Sequence, residues 1–333
     1  MYESLHNHTT TSDGLQDHLA VLATAKRFKM NVIAFTDHDA LPDEKTLAAL
    51  KNYNGPVAWT VGIEISSGYA LDHSSRGAGS LHIIGHFVDV TNKALNEHCR
   101  LAQEARTERM VRIVENLNRL GFLLKEEDCL RASGGESVGR PHIVSALLSY
   151  KENETRLREL MDEMAKDPEV AEQYKRAKEK AATRGLSEFV YTLLLGNEAY
   201  FPDVYVDYLY TIDMDKSVAL IRDAGGVAIQ AHWWTYQNKL PLDTLREYLI
   251  NKRIDGIEII GGAGPESAAA YPSLKQLAEE TDCLVSVGAD AHKPEDFERY
   301  LQLPMVTETK GIFTTLYEKA KPVKACGYLD PLK

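Results

Sequence analysis

Six short apolar runs constrain this chain more than any other feature: 31-NVIAFT-36, 57-VAWTVGIEI-65, 81-LHIIGHFVDV-90, 226-GVAIQAH-232, 255-DGIEII-260 and 284-LVSVGAD-290. Most are too short and too continuously apolar to be half-exposed strands. They read as strands buried on both faces, as in a parallel sheet or barrel. Helical patterns separate several of them. Leu19, Leu22, Ala23 and Ala25 to Phe28 give a helical face before the second strand, and Pro272 to Thr281 does the same before 284-LVSVGAD-290. Strand–helix alternation of this kind favours an α/β barrel. With 333 residues, 44% of them hydrophobic, the chain can fill the core of one large barrel or of a barrel plus an insert.

The middle of the chain is different. From about Asn92 to Tyr200 strand patterns all but vanish, while Met110, Ile113, Val114, Leu117 and Leu120 recur at helical spacing. The stretch 151-KENETRLRELMDEMAKDPEVAEQYKRAKEK-180 mixes acids and bases nearly evenly, as solvated helices with i,i+4 pairs do. The expected organisation is therefore barrel over 1–91, helical insert over 92–204, and barrel again over 205–333.

Polar residues fall at particular places on this frame. His6 and His8 are two apart, so on a strand they share a face. Asp13 follows in 12-SDG-14. Thr36-Asp37-His38-Asp39 ends the second strand, Glu64 the third and His232 the 226–232 run, while His82 opens the fourth and Asp290-Ala291-His292 ends the last. In a β/α barrel the C-terminal rim is where active sites are built. Imidazole and carboxylate together suit Zn²⁺, Mn²⁺ or Fe²⁺. Six histidines and three carboxylates are too many for one ion, and a carboxylate such as Glu64 can bridge two. The set implies two or three divalent ions, an arrangement suited to hydrolysis at phosphorus or at a carbonyl. Each residue alone has a plainer reading: a satisfied strand-end histidine, a turn at Asp13-Gly14, helix caps at Asp37 and Asp39. Recurrence on successive strand ends is what outweighs those readings. His18 on a helix, His73 in a Gly/Ser-rich loop, His86 deeper in a strand and His98 in the insert are left outside the set.

Charge and cysteine content narrow the function classes. The net charge of −11 argues against binding nucleic acid through its backbone, nucleotides and short oligonucleotides aside. Cys99, Cys129, Cys283 and Cys326 have no CxxC spacing and read as reduced thiols of a cytoplasmic protein. The sequence MYESLHNH has neither a basic nor an apolar leader pattern, and no apolar run approaches the roughly 18 residues of a membrane span.

Taken together, His6-Asn7-His8-Thr9 through Ser12-Asp13-Gly14, Thr36-Asp37-His38-Asp39, Gly62-Ile63-Glu64, His82-Ile83-Ile84-Gly85, Ala231-His232 and Asp290-Ala291-His292 resemble the motif set of the PHP (polymerase and histidinol phosphatase) superfamily. The match covers about two-thirds of the chain, the insert excepted. The resemblance implies a distorted seven-stranded TIM-like barrel with an inserted all-α domain and three divalent ions. By position, His6, His8, Glu64 and Asp290 would hold the first ion; Glu64, His82 and His232 the second; Asp13, His38 and His292 the third. It further implies hydrolysis of a small phosphomonoester by a metal-bridging hydroxide, with His232 and Asp290 at the reacting centre.

Within the insert, Gly139-Arg140-Pro141-His142 is similar to a step in the PHP phosphoesterases of nucleotides and nucleoside bisphosphates. There Arg140 would clamp a substrate phosphate with help from His142; the plainer reading is a helix start with Pro at its first position. One departure stands out. Where those relatives follow the strand-end histidine with Pro-Gly-Arg, this chain has 231-AHWWTYQNKL-240. Trp233, Trp234 and Tyr236 could wall a flat group or simply pack, and Lys239 could replace the missing charge. Competing readings are an amidohydrolase-like C–N hydrolase, a PHP-type exonuclease, and a non-catalytic domain that keeps metal for folding.

Overall fold

Each apolar run becomes a strand in the computed structural model, which describes residues 2–68, 80–134, 138–168, 170–196, 201, 203–207 and 210–332. His73 lies outside the described residues. The strands are β1 (Tyr2–Ser4), β2 (Met30–Phe35), β3 (Ala58–Gly68), β4 (Ser80–His86), β5 (Ile212–Asp213), β6 (Val227–Gln230), β7 (Gly256–Gly261), β8 (Leu284–Gly288) and β9 (Gly327–Tyr328). Seven of them run β1-β2-β3-β4-β6-β7-β8, and the two-residue β5 and β9 pair on β3. The ends nearly meet. Leu5 N donates to Val287 O at 2.8 Å, and Asn7 forms a parallel bridge with Ala291. The result is a mixed α/β fold around a nearly closed, barrel-like sheet of seven strands.

One of the seven main strands departs from the parallel reading. β4 runs antiparallel to both β3 and β6, whereas β1–β2, β2–β3, β6–β7 and β7–β8 are parallel. A continuous apolar run reports burial on two faces, not direction, so the sequence pattern could not distinguish the cases. The reversal matters for the site. His82 opens β4 instead of ending it, and in an antiparallel strand the opening residues lie at the rim where the parallel neighbours finish. β3 also extends four residues beyond Glu64, to Gly68, pairing with β4 and β5. Glu64 is thus inside its strand rather than at its end, level with His38 through an isolated bridge.

The barrel core contains Ile33, Phe35, Trp59, Val61, Ile63, Ile65 and Ile83 among other buried residues. Helix His18–Arg27 packs on it through Val21, Leu22 and Ala25, with Asp17 accepting from Ala20 N as the N-cap. Leu19, expected on that face, is 45% exposed. The inward stripe is 18/21/22/25, the i, i+3, i+4, i+7 set, and Leu19 lies off it. The helix before β8 begins at Pro265 and carries Pro272 inside it, so it starts earlier than the sequence pattern suggested.

Residues 102–210 form a second compact unit. Its named elements among the described residues are all helical. Met110, Ile113, Val114 and Leu117 are buried there with Leu157, Leu160, Met164 and Phe189, while Leu120 packs at the edge. The mixed-charge stretch forms helices Lys151–Lys166 and Ala171–Arg184, with exposed pairs such as Glu154–Arg158 at i,i+4. No helix among the described residues is long and apolar enough to cross a membrane.

The exposure pattern of the first helix is testable. Leu22→Ala, at a fully buried position, is expected to cost about 2–5 kcal/mol in urea unfolding, and Leu19→Ala less than about 1 kcal/mol. Equal costs would show that the helix packs through a different face.

Candidate metal centre

The first two ligand candidates are presented by the residue between them. Asn7 is locked into the barrel wall: its Nδ2 donates to Ser4 O and Ala34 O at 2.8 and 2.9 Å, and its Oδ1 accepts from Ser4 Oγ at 2.6 Å. With Asn7 turned into the wall, extended geometry sends His6 and His8 to the opposite side, where both are fully buried. The chain then turns back. Ser12 N and Gly14 N both donate to Thr9 O. A Cβ at Gly14 would lie 2.5 Å from His8 O, so only glycine allows the turn to fold this closely over the strand. Asp37 fastens it, accepting from Thr9 N, Thr9 Oγ1 and Ser12 Oγ at 2.7, 2.9 and 2.6 Å. Asp13 is a turn residue and a member of the cluster at once.

Glu64 is the hub. Its Oε1 lies 2.8 Å from His82 Nδ1 and 3.0 Å from His232 Nε2. Its Oε2 lies 2.9 Å from His38 Nδ1, 3.2 Å from His6 Nε2 and 3.3 Å from His8 Nε2. Asp290 Oδ1 is 3.1 Å from His8 Nε2 and 3.5 Å from His6 Nε2. On the other flank, Asp13 Oδ1 is 3.3 Å from His292 Nε2, and Asp13 Oδ2 is 3.9 Å from His38 Nε2. All nine sequence-selected residues are brought together. Three groups have ligand atoms within 4.8 Å of one another: His6/His8/Glu64, His38/Glu64/His82, and His8/Asp13/His38/His292. His8 and His38 each face two groups. The side chains of Glu64, His6 and His8 are fully buried, whereas those of Asp290 and His292 are 28% and 33% exposed, so the cluster has a sealed floor and an open lip.

The residues fit divalent ions on a direct observation. Glu64 Oε2 and His38 Nδ1 face each other at 2.9 Å, buried, and neither has a hydrogen-bond partner. His6 Nε2 and His8 Nε2 are 3.3 Å apart. Buried polar atoms are ordinarily satisfied, and lone pairs converging from imidazole and carboxylate are what a cation of the Zn, Mn or Fe type satisfies. Without ions, protons do this work. Burial pushes the Glu64 carboxyl up, but charge at His38, His6 and His82 holds it well below the usual carboxylate range. Burial is likewise overcome at Asp13, by His292 and His38, and at Asp290, by His6. Burial pushes the His292 imidazole down, yet Asp13 carries it up to about 10. His6 is also held well above its ordinary value, by Glu64, Glu258 and Asp290 against its burial.

Glu258 escaped the sequence reading. Fully buried on β7, it reaches His6 Nδ1 at 3.1 Å and accepts from the His232 backbone N at 2.9 Å. The signal was present, since a glutamate interrupts an otherwise apolar strand in 255-DGIEII-260. The plainer reading of Asp37 as a helix cap does not hold, because the cap of the following helix is Asp43. Asp39, which has the same plainer reading, accepts from Ser66 N at 2.8 Å and lies 3.2 Å from His98 Nε2. His86 is buried in the barrel against Ser286 Oγ at 2.9 Å, its pKa lowered by burial to about 3.

The remaining candidates separate. Trp233 and Trp234 belong to the hydrophobic core, with Trp233 Nε1 donating to Leu240 O at 2.7 Å, so both pack. Tyr236 reaches the centre, its ring 5.4 Å from His232 and 5.9 Å from His82, and the core-packed Trp234 ring meets His232 edge-on at 6.5 Å. Lys239 N donates to Tyr236 O in the tight turn that follows. In the helical unit, Arg140 Nη1 donates to Leu195 O at 2.9 Å, and its guanidinium lies over the Tyr191 and Tyr205 rings at 5.1 and 5.8 Å. His142 Nδ1 accepts from Gly139 N at 3.0 Å, closing the first turn of helix Arg140–Leu148.

Two outcomes follow from this geometry. Asp13→Ala is expected to lose one ion and keep the His6/His8 ion, read by elemental analysis; loss of every ion, or of none, contradicts the division into flanks. Because His292, at about 10, is protonated at pH 8 in the ion-free protein, an ion must displace that proton. Zinc affinity should therefore weaken by about tenfold per pH unit per displaced proton between pH 8 and 6. A pH-independent chelator competition would show that these imidazoles do not take part.

No family model matches the chain. Similar proteins of nearly its full length do. A 5′-3′ exoribonuclease of Haemophilus influenzae is 26% identical over 298 residues, covering 87% of this chain and 89% of that one. A 3′,5′-nucleoside bisphosphate phosphatase of Chromobacterium violaceum is 24% identical over 298 residues, 87% of each. Among solved structures, a protein of Bifidobacterium adolescentis assigned as a metal-dependent phosphoesterase superposes with a TM-score of 0.62 at 23% identity, covering 87% of each chain. An amidohydrolase of Chromobacterium violaceum, solved with sulfate and no metal, gives 0.60 at 23% identity and 89% of each. At 23% identity the structural neighbours show a shared fold, and the relatives at 24–26% are a phosphatase and exoribonucleases to which the chain is similar over nearly its full length.

Proposed function

We propose that this protein is a metal-dependent phosphoesterase that hydrolyses a small phosphomonoester of the nucleotide class, using two to three divalent ions held by His6, His8, Asp13, His38, Glu64, His82, His232, Asp290 and His292. The observation that carries the proposal is the convergence of five imidazoles on one buried hub, Glu64, with Asp13, Asp290 and His292 on the adjoining flank and the unpartnered Glu64 Oε2 and His38 Nδ1 facing each other. Bound there, divalent ions would supply positive charge for phosphoryl oxygens and lower the pKa of water. The chain's own part is geometric. Glu64, His6 and His8 form a dry floor in which electrostatic attraction is strong. His232 and Asp290 stand beside that floor, and with His292 at the open lip they are placed to meet the reacting phosphoryl group. Tyr236 offers a face against which a base can stack. Arg140 and His142 are proposed as phosphate contacts, and a helical insert over 92–204 of a TIM-like barrel as the domain plan, on the family resemblance alone. The net charge of −11 is compatible with an anionic substrate because three divalent ions among three carboxylates leave the site cationic.

A second reading, 5′-3′ exoribonuclease, is favoured by the Haemophilus influenzae relative. One assay separates them. Metal-loaded protein is given adenosine 3′,5′-bisphosphate and, in parallel, a short 5′-phosphorylated RNA. Release of inorganic phosphate from the bisphosphate is expected, with Glu64→Ala losing more than the about 10–100-fold typical of an outer-shell partner. Stepwise release of mononucleotides from the RNA without phosphatase activity establishes the second reading. Full metal content with no turnover of either substrate refutes both.

A further inference from the structure

We infer that Glu258 is a positioning residue that fixes His6 in the tautomer able to bind an ion and couples that imidazole to the backbone at His232; this rests on the metal-dependent reading above. The geometry leaves the carboxylate few alternatives. Glu258 is fully buried on β7 between β6 and β8. Its Oε2 accepts from the backbone N–H of His232 at 2.9 Å, a group that can only donate. Its Oε1 lies 3.1 Å from His6 Nδ1. The His232 N–H fixes Oε2 as an acceptor and Oε1 faces Nδ1 at hydrogen-bond distance, so the pairing in which Nδ1–H donates to Oε1 leaves Nε2 to meet an ion. That Nε2 is the atom 3.2 Å from Glu64 Oε2, on the metal-facing side of the ring. A carboxylate behind a ligating imidazole sets its tautomer and orientation and raises its basicity.

The fold is built around this side chain. The β7–β8 register shifts between Glu258 and Ile260, where β7 carries one extra residue, the kind of bulge that re-aims a side chain beside a site. A Cβ on Gly261 would lie 2.1 Å from Glu258 Oε2, so a side chain there would displace the carboxylate. His232 itself has φ +23°, a conformation few non-glycine residues adopt, and its N–H is held by Glu258. One carboxylate thus meets the ring of one expected ligand and the backbone of another, on segments that follow strands β1 and β6, which are not neighbours in the sheet.

The test is Glu258→Gln, which keeps the shape and changes one acceptor to a donor. The amide oxygen must still accept from His232 N–H, so the NH₂ turns to His6 Nδ1 and forces the proton onto Nε2. Zinc content by elemental analysis and affinity by calorimetry are expected to fall by one ion per chain, or by about 10–100-fold at one site. The Asp13-flank ion should remain, and far-ultraviolet circular dichroism should be unchanged. A second measurement does not depend on the variant folding. In zinc-loaded wild-type protein labelled with ¹⁵N-histidine, His6 should show a protonated Nδ1 and a metal-bound Nε2. Wild-type zinc binding in Glu258→Gln, or a His6 bound through Nδ1, overturns this inference and leaves the metal centre standing. A wild-type protein that binds no divalent ion overturns the metal reading itself.

Discussion

Everything about this molecule's centre depends on one buried carboxylate. Glu64 sits at zero exposure with five imidazole nitrogens within 3.3 Å of its two oxygens. An isolated carboxylate could not be buried this way, because taking a charge from water into a protein interior is costly unless it is compensated. Here compensation comes from four chain segments at once: the end of β1, the end of β2, β4 and the loop after β6. Positive charge, whether carried by protons or by ions, is therefore a structural requirement of the fold as well as a chemical resource. The same demand explains why carboxylates in the cluster are held low and several imidazoles high when protons alone are present.

The barrel meets this requirement through strand direction. Parallel strands deliver their last residues to one rim, which is where His6, His8, His38, His232, Asp290 and His292 gather. Glu64 and His82 are the exceptions, and the reversed β4 accounts for both. It brings an opening residue to the rim, and it pairs along the far half of β3. A strict parallel barrel would have placed His82 at the opposite end. The outer supports follow the same economy of position: Asn7 turned into the wall to present its flanking histidines, Asp37 holding the turn that returns Asp13, and Glu258 behind His6.

Much of this was legible beforehand. The nine ligand candidates could be selected because histidine and carboxylate at the ends of apolar runs are chemically conspicuous, and each reached the cluster. The helical character of the middle segment was equally readable from Met110, Ile113, Val114 and Leu117. What escaped detection has a common cause. Glu258 serves the site through other residues, so nothing in its local sequence marks it except a charge where burial was expected, and Asp37, though quoted in a motif, gave no sign of its hold on Thr9 and Ser12. The aromatics after His232 read equally as a wall or as packing because sequence shows aromatic content, not which way a ring turns; both tryptophans are buried in the core, while Tyr236 and the edge of Trp234 lie against His232.

The sequence by itself determined the periodicities, and through them the strands, the helices and the residue types available to hold an ion. These are local properties, set by side-chain size, polarity and spacing along a few residues. Tertiary structure alone decided the direction of β4, the depth of Glu64 within β3, the double facing of His8 and His38, and the pairing of Glu258 with His6 across 252 residues of chain. Each depends on which segments become neighbours when the sheet curls almost shut, and a linear pattern does not encode the partner across the barrel.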